Sequence, residues 1–438
     1  IGKSLAEILG REYKVGLRSI NVKNFLIELQ IVKPLLKEVI ERIKTIPKIQ
    51  SVEAETSVLH LILKPLTEAE LKKNIPDRIV SLIEKVIKEG VKPPVVITKM
   101  PILKKSPQKL LKFSEDPLKV GLEIGWIKEF PGRGQFIYTP PFAKLSEVIK
   151  GILLEEIALK LGFQPFLLPK LIPFEVMKRM PGYLDDIPEG MYYVCPPPRD
   201  PEAFAHFKDR FKITKEVPKK ELKSVIKDPE YVLSPAQCEP FWQFYNHEVV
   251  RIEDLPFKFY DSSGWTYRWE GGGVEGLVRL QEFMRIELTY LGTPLQVIDI
   301  RDKIVEKCIH VADKIFDLEW RVTAATPFYM RGAEIAIDIT DSKNVAAYDI
   351  EIYLPYRGPR ETAEWLEVAG CFVHKTKFVD SFKIREIKGR DIWTGCTGLG
   401  ISRWVAAFLA SYGFNPENWP KEVQERAKPL PQVPKTLE

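Results

Sequence analysis

Tyr267-Arg268-Trp269-Glu270-Gly271-Gly272-Gly273-Val274-Glu275-Gly276-Leu277-Val278-Arg279-Leu280-Gln281-Glu282-Phe283 is the densest chemical signal in the chain. Two strand-like segments flank a glycine-rich loop, an arginine stands near each end, and an aromatic ring sits on the returning strand. Such a segment can hold a nucleoside triphosphate. Guanidinium forks meet phosphate oxygens in pairs, glycine permits close backbone approach, and Phe283 offers a face on which a base stacks. A Gly-Gly-Gly turn by itself reads more readily as a surface hairpin with ordinary charged positions, so the decision rests on what accompanies it.

Two further stretches accompany it. Lys144 to Leu161 places Leu145, Val148, Ile149, Ile152, Leu153, Ile157 and Leu161 on one broad helical face, and Gly162 ends that helix. Phe163 to Leu168 then reads as a strand that Pro165 confines to an edge or a bulge. Near the other end, Gly398-Leu399-Gly400-Ile401-Ser402-Arg403 is a glycine-spaced strand running into the apolar helix Trp404 to Tyr412. Most strands in between are separated by hairpin-like or glycine-rich stretches rather than crossover helices, which favours an antiparallel sheet.

In order and separation these three stretches resemble motifs 1, 2 and 3 of the class II aminoacyl-tRNA synthetases. The resemblance implies an α+β catalytic domain, an antiparallel β-sheet flanked by helices. It assigns Arg268 to the α-phosphate of ATP, Arg403 to the γ-phosphate, Arg279 to the bent triphosphate and Phe283 to adenine. Glu270 would face adenine or the tRNA 3′ end, and Glu367 would bind magnesium. No general base is needed in such a scheme, because the substrate carboxylate is the nucleophile and catalysis is positioning plus neutralisation of charge.

Three more segments narrow the substrate. Ser234 to Trp242 with Cys238, Arg285-Ile286-Glu287, and Thr394-Gly395-Cys396-Thr397 resemble the methanogenic type of seryl-tRNA synthetase, in which cysteine, glutamate and cysteine at these places bind catalytic zinc. Three protein ligands leave a fourth tetrahedral position, open to the neutral amino group of a small amino acid. Without the resemblance, Cys238 and Cys396 are two cysteines far apart in sequence, and burial for packing is the common case; Cys195, Cys308 and Cys371 are read that way. The resemblance implies a zinc-dependent serine–tRNA ligase that uses ATP, magnesium, L-serine and tRNA(Ser) and forms a homodimer through the motif 1 region. One departure stands out. After Glu367 the chain reads Val368-Ala369-Gly370-Cys371-Phe372 where that family has polar residues, and Met330-Arg331-Gly332 lacks an expected glutamine. Loss of hydroxyl partners would weaken the preference for serine over alanine or glycine. A paralogue that activates another small amino acid for tRNA or a carrier protein is therefore a second reading. A tRNA-binding regulator on a retired core is a third, disfavoured by the intact Arg268, Glu270, Phe283 and Arg403.

Composition sets the frame. The 438 residues are 45% hydrophobic and 29% charged, as in a soluble globular protein. No apolar run approaches the roughly 18 residues a membrane span needs, and Ile1 to Gly10 lack a secretory signal's apolar centre. Five scattered cysteines match a reducing compartment, hence a cytoplasmic address. The chain starts at Ile1, so its true start is expected to be missing. Residues 1–115 hold 22 Lys and Arg against 13 Asp and Glu, a balance of +9 in a chain of net +5, which leaves −4 for the remainder. That suggests a polyanion-binding module ahead of a chemical unit, although a solvated lysine-rich face of a warm-living protein reads as well on charge alone.

The front module itself reads as a small α+β domain: a helix from Ile31 to Ile46, a strand from Ser51 to Leu63, and a helix capped by Thr67 and Glu70 that runs to about Gly90 with a bend near Pro76. Prolines and six lysines between Lys92 and Pro117 mark a linker. The expected division is a basic tRNA-binding domain, 1–115, and a catalytic domain, 116–438. By resemblance the front module grips the long arm of serine tRNA, with Lys14, Arg18, Lys23, Lys33 and Lys37 as candidates that nothing in the sequence ranks.

Overall fold

Leu59, Leu61 and Leu63 are fully buried while Val58, His60 and Ile62 between them are half-exposed, a period of two that makes this stretch a strand with one apolar face. It is the centre of a three-stranded antiparallel sheet. In chain order the elements are β1 (Phe25–Gln30), α1 (Lys37–Lys44), β2 (Ile49–Ala54), β3 (Val58–Leu63), α2 (Glu68–Lys72) and α3 (Ile75–Glu89), with sheet order β1-β3-β2. Val39 and Ile43 from α1 and Ile79, Ile83 and Val86 from α3 bury against the leucines of β3, giving this unit its own core. The computed structural model describes residues 25–89, 101–325 and 345–434, and the chain divides into two compact units at Thr98/Lys99.

Several local expectations shift here. The helix expected from Ile31 occupies only Lys37–Lys44, because Pro34 lies in an extended approach that ends at Leu36 (ψ 148°). The single strand expected over Ser51–Leu63 is a hairpin of β2 and β3, turned at residues 55–57. Thr67 and Glu70 do form the capping box: the Glu70 N–H donates to Thr67 Oγ1 at 3.3 Å and the Thr67 N–H to the Glu70 carboxylate at 2.8 Å. The helix then breaks at Asn74, whose φ is 53°. Pro76 sits in the first turn of α3, where a missing N–H costs nothing.

In the larger unit the elements that place the site are β4 (Ile102–Lys105), α4 (Pro140–Leu153), β5 (Gln164–Pro165), α5 (Glu239–Phe244), β6 (Phe257–Asp261), β7 (Trp265–Tyr267), β8 (Glu282–Met284), β9 (Ile286–Gly292), α6 (Pro294–His310), β10 (Trp320–Ala325), β11 (Ala347–Ile352), β12 (Leu366–Lys375), β13 (Trp393–Leu399) and α7 (Ile401–Tyr412). Eight of these strands form one sheet in the order β4-β10-β11-β12-β13-β9-β6-β5. Every neighbouring pair is antiparallel except β5 with β6. Helix α6 packs across β9, β12 and β13, and α7 packs on β12 and α4. Leu145, Ile149, Ile304, Trp404 and Phe408 fill that helical side of the core, and Cys308 and Cys371 are buried there among them.

The expected division at residue 115 is corrected by this sheet. Ile102–Lys105 pairs with β10 at the sheet edge and so belongs to the larger unit. Its brevity and its two lysines are ordinary for an edge strand, where charge discourages pairing with another chain, and they are what made it look like linker. The helix expected over Lys144–Leu161 begins earlier, at Pro140, and ends in a π-helical turn, Leu154–Leu159. Of the strand expected over Phe163–Leu168, only Gln164 and Pro165 pair, at the opposite sheet edge from β4.

Candidate active site

The glycine-rich stretch is a hairpin with a fixed mouth. Thr266 pairs with Phe283 and Tyr267 with Glu282 across β7 and β8, and the Arg268 N–H extends the ladder to the Gln281 carbonyl at 2.9 Å. Gln281 is buried, and its side-chain oxygen accepts from Tyr192 Oη at 2.8 Å and from the Glu270 N–H at 3.1 Å. Gly271 and Gly276 take left-handed backbone, φ 52° and 49°, which a side chain would strain. Glu275 and Arg279 then bond to each other through both backbone N–H groups, each at 3.0 Å, closing the loop.

Arg403 stands in the first turn of α7 and ties three segments together. Its Nη1 donates to the Glu367 carbonyl at 3.0 Å and pairs with the Glu367 carboxylate at 3.2 Å, while Nε donates to the Val278 carbonyl at 3.2 Å. The neighbouring Ser402 Oγ accepts the Met284 N–H at 3.0 Å, which fixes the returning strand of the hairpin against the helix. Arg268 Nε donates to the Pro235 carbonyl at 3.3 Å. Arg268, Glu270, Arg279, Phe283, Glu367 and Arg403 line one cavity of about 290 Å³. A second cavity, of about 260 Å³, shares Arg279, Glu367 and Arg403 with it.

Cys238 and Cys396 also line the larger of these two cavities, and Glu287 converges with them. Their ligand atoms lie within 4.8 Å of one another, and all three residues are buried. The fold explains the convergence. Glu287 on β9 faces Gly398 on β13, and Thr289 faces Cys396, so both donors stand on one sheet face two residues apart. Cys238 arrives from a loop built around the buried Glu239, whose carboxylate accepts from Ser234 Oγ at 2.9 Å and from the Ala236 N–H at 2.8 Å. Gln237 in that loop has φ 73°.

Charge and burial set the protonation here. Burial pushes the Glu287 carboxyl up to about 7 against the Arg285 guanidinium and the nearby Cys396 thiol, which lower it. The Cys396 thiol is held well above its ordinary range by its contact with Cys238, then by burial and the Glu287 charge. For Cys238 the contact with Cys396 lowers the value, but burial and the Glu287 and Glu239 carboxylates outweigh it. Neither Glu287 oxygen accepts a well-aligned hydrogen bond. Two soft thiols and an under-satisfied carboxylate, dry and clustered, suit a tetrahedral zinc ion with one open position.

The wall between the two ends is formed by β12. Gly370, Phe372 and His374 line the cavity, and the Phe372 ring folds over Gly370, where a Cβ would lie 2.8 Å from it. Burial pushes His374 down to about 3, and its Nδ1 is 3.1 Å from Thr394 Oγ1.

Residues to which the sequence reading gave no role also take part. Arg285 lines the cavity and pairs with Glu287 at 2.7 Å. Asp349 lines both cavities, and burial followed by the Glu367 and Glu351 charges holds its carboxyl well above the usual range. The alternation Asp349-Ile350-Glu351 on a strand was the available signal for it. Lys33 and Lys37 are exposed on the smaller unit, whereas Lys14, Arg18, Lys23 and Met330-Arg331-Gly332 lie outside the described residues.

Comparison with known proteins agrees with this geometry. Residues 1–85 match the family of tRNA-binding domains, and residues 222–412 match the tRNA synthetase class II core domain (G, H, P, S and T). The type-2 serine–tRNA ligase of Methanocaldococcus jannaschii is 41% identical over 99% of this chain and 83% of its own length. That of Methanopyrus kandleri is 41% identical over 100% and 84%. The crystal structure of the M. kandleri enzyme with A. aeolicus tRNASec superposes with a TM-score of 0.89 at 40% identity, covering 99% of this chain and 84% of that one. The cytoplasmic serine–tRNA ligase of Naegleria fowleri in complex with AMP shares the fold at 14% identity and a TM-score of 0.59, over 82% and 72% of the two chains. With a sheet of class II form, a motif set in order and more than 40% identity across its length, the chain belongs to the type-2 serine–tRNA ligases.

Proposed function

We propose that this chain activates serine with ATP and passes it to the 3′ end of a serine tRNA, in the cytoplasm and as a homodimer. The observation that carries the reading is the meeting, in one cavity, of three guanidinium groups with the two thiols of a thiol–carboxylate–thiol cluster whose carboxylate, Glu287, is buried beside them. Arg268, Arg279 and Arg403 hold the triphosphate bent, and Phe283 stacks on adenine. The serine carboxylate attacks the α-phosphorus in line, the bond to the bridging oxygen breaks, and pyrophosphate leaves with its charge met by Arg403 and Arg279. A ribose hydroxyl of the tRNA end then attacks the acyl carbon and AMP departs. Zinc held by Cys238, Glu287 and Cys396 supplies a Lewis-acidic position for a neutral α-amine. Magnesium held at Glu367 supplies positive charge beside the phosphates.

The smaller unit, basic in sequence, carries the tRNA, with Lys33 and Lys37 among its exposed contacts. Support for the dimer is the short edge strand β5, with Leu167 exposed two residues after it. No helix among the described residues is long and apolar enough to cross a membrane.

Amino-acid-dependent pyrophosphate exchange across all twenty amino acids tests the reading: serine drives exchange, and silence with serine overturns it. The apolar wall of Gly370 and Phe372 favours a second outcome, in which alanine or another small amino acid drives exchange instead. Removing residues 1–98 leaves exchange intact and weakens tRNA binding in a salt-sensitive way. Equal charging of tRNA by that truncated chain would remove the role given to the smaller unit.

A further inference from the structure

Arg285 belongs to no phosphate contact in the scheme above, yet its side chain is only 13% exposed. Its Nη2 is 2.7 Å from Glu287 Oε2, and its buried Nε has no hydrogen-bond partner. The guanidinium lies across β13 at Gly398, the residue that faces Glu287 in register. A Cβ at Gly398 would stand 2.1 Å from Nη2 and 2.3 Å from Cζ. The absence of a side chain there is therefore what lets the guanidinium rest against Glu287.

Charge counting shows what this arrangement does. Two thiolates and one carboxylate around a divalent cation sum to a net negative charge, which is costly in a site this buried. One guanidinium beside the carboxylate brings the sum to zero. It also orients Glu287 by engaging one oxygen, so that the other can turn to the cation. A lysine would supply the charge as a point, without the planar guanidinium that rests on Gly398 beside the carboxylate.

We infer that Arg285 is the positioning residue of the cation site, orienting Glu287 and balancing the charge of the donor set, with Gly398 as its seat. The inference rests on the reading that Cys238, Glu287 and Cys396 hold zinc.

The test uses the full chain and two readouts beside activity: zinc affinity by chelator competition, and the visible absorption of the cobalt(II)-substituted protein. Arg285→Met lowers zinc affinity about 10–100-fold and shifts the cobalt bands, while the KM for ATP stays unchanged. Arg285→Lys recovers part of the affinity. Gly398→Ala, which keeps Arg285 but fills its seat, reproduces the zinc loss. Wild-type zinc affinity and cobalt bands in Arg285→Met overturn the inference. Should that variant not fold, unchanged zinc affinity in both Arg285→Lys and Gly398→Ala overturns it equally. If the unaltered protein itself holds no zinc, the reading of the three ligands fails instead.

Discussion

The two ends of the cavity are built on opposite principles. At the end proposed for the phosphates the cations are already engaged by the protein: Arg403 bonds to Glu367 and to the Val278 carbonyl, and Arg268 to the Pro235 carbonyl. These side chains are only partly buried, and water can stand in for a phosphate. At the end proposed for the amine Cys238, Glu287 and Cys396 are buried, and the carboxylate oxygens lack aligned donors. A ligand at the first end exchanges one set of hydrogen bonds for another. At the second end an ion, on the function proposed above, would complete a set that the protein leaves open, so that end should be the less forgiving of change.

Substitutions can break that contrast. Cys396→Ala is expected to remove zinc and to abolish serine-dependent exchange while ATP still binds; metal analysis and exchange on the same sample check it, and an active, metal-free variant would end the distinction between the ends. Arg268→Ala is expected to lower kcat for exchange by about 10²–10³, the usual cost of one preorganised charge-stabilising donor, with full zinc content. Loss of zinc in that variant would mean that the two ends are not separable.

The smallest effect concerns the wall between them. His374 is kept neutral by burial, with a folded pKa of about 3 below the ordinary 6.5. Below pH 6.5 the unfolded chain binds a proton that the fold excludes, so stability is full above that pH and falls as the pH drops toward 3. The urea midpoint of the wild type should fall relative to that of His374→Asn between pH 6.5 and 5, a difference from which the contributions of the raised Glu287 and Asp349 carboxyls cancel. Equal slopes in the two proteins would show that another group sets the decline.

How much of this the sequence disclosed follows from how far each signal reaches. The hairpin around Arg268 and the strand–helix step before Arg403 are local, and their glycines and arginines stand in order along the chain. Cys238, Glu287 and Cys396 are far apart in sequence, and without the resemblance they remain isolated residues; the β9/β13 register is what joins them. Arg285, quoted without a role, and Asp349, not noticed, acquire theirs from residues on other strands, Gly398 for the first and Glu367 for the second. The boundary was misjudged where edge-strand chemistry and linker chemistry coincide, at Ile102–Lys105. In the smaller unit the apolar periodicity was readable, but the turn at residues 55–57 was hidden inside a run of strand-like residues.

The pairing of β9 with β13 has a consequence for how this enzyme can be altered. Side chains alternate between the two sides of a sheet, so a shift of one residue in either strand would send Glu287 or Cys396 to the helical side while its partner stayed behind. Length changes are therefore excluded from these two strands. The loop between Glu270 and Arg279 is free of that parity, which makes it the place where the protein can be lengthened or rebuilt without separating Cys396 from Glu287.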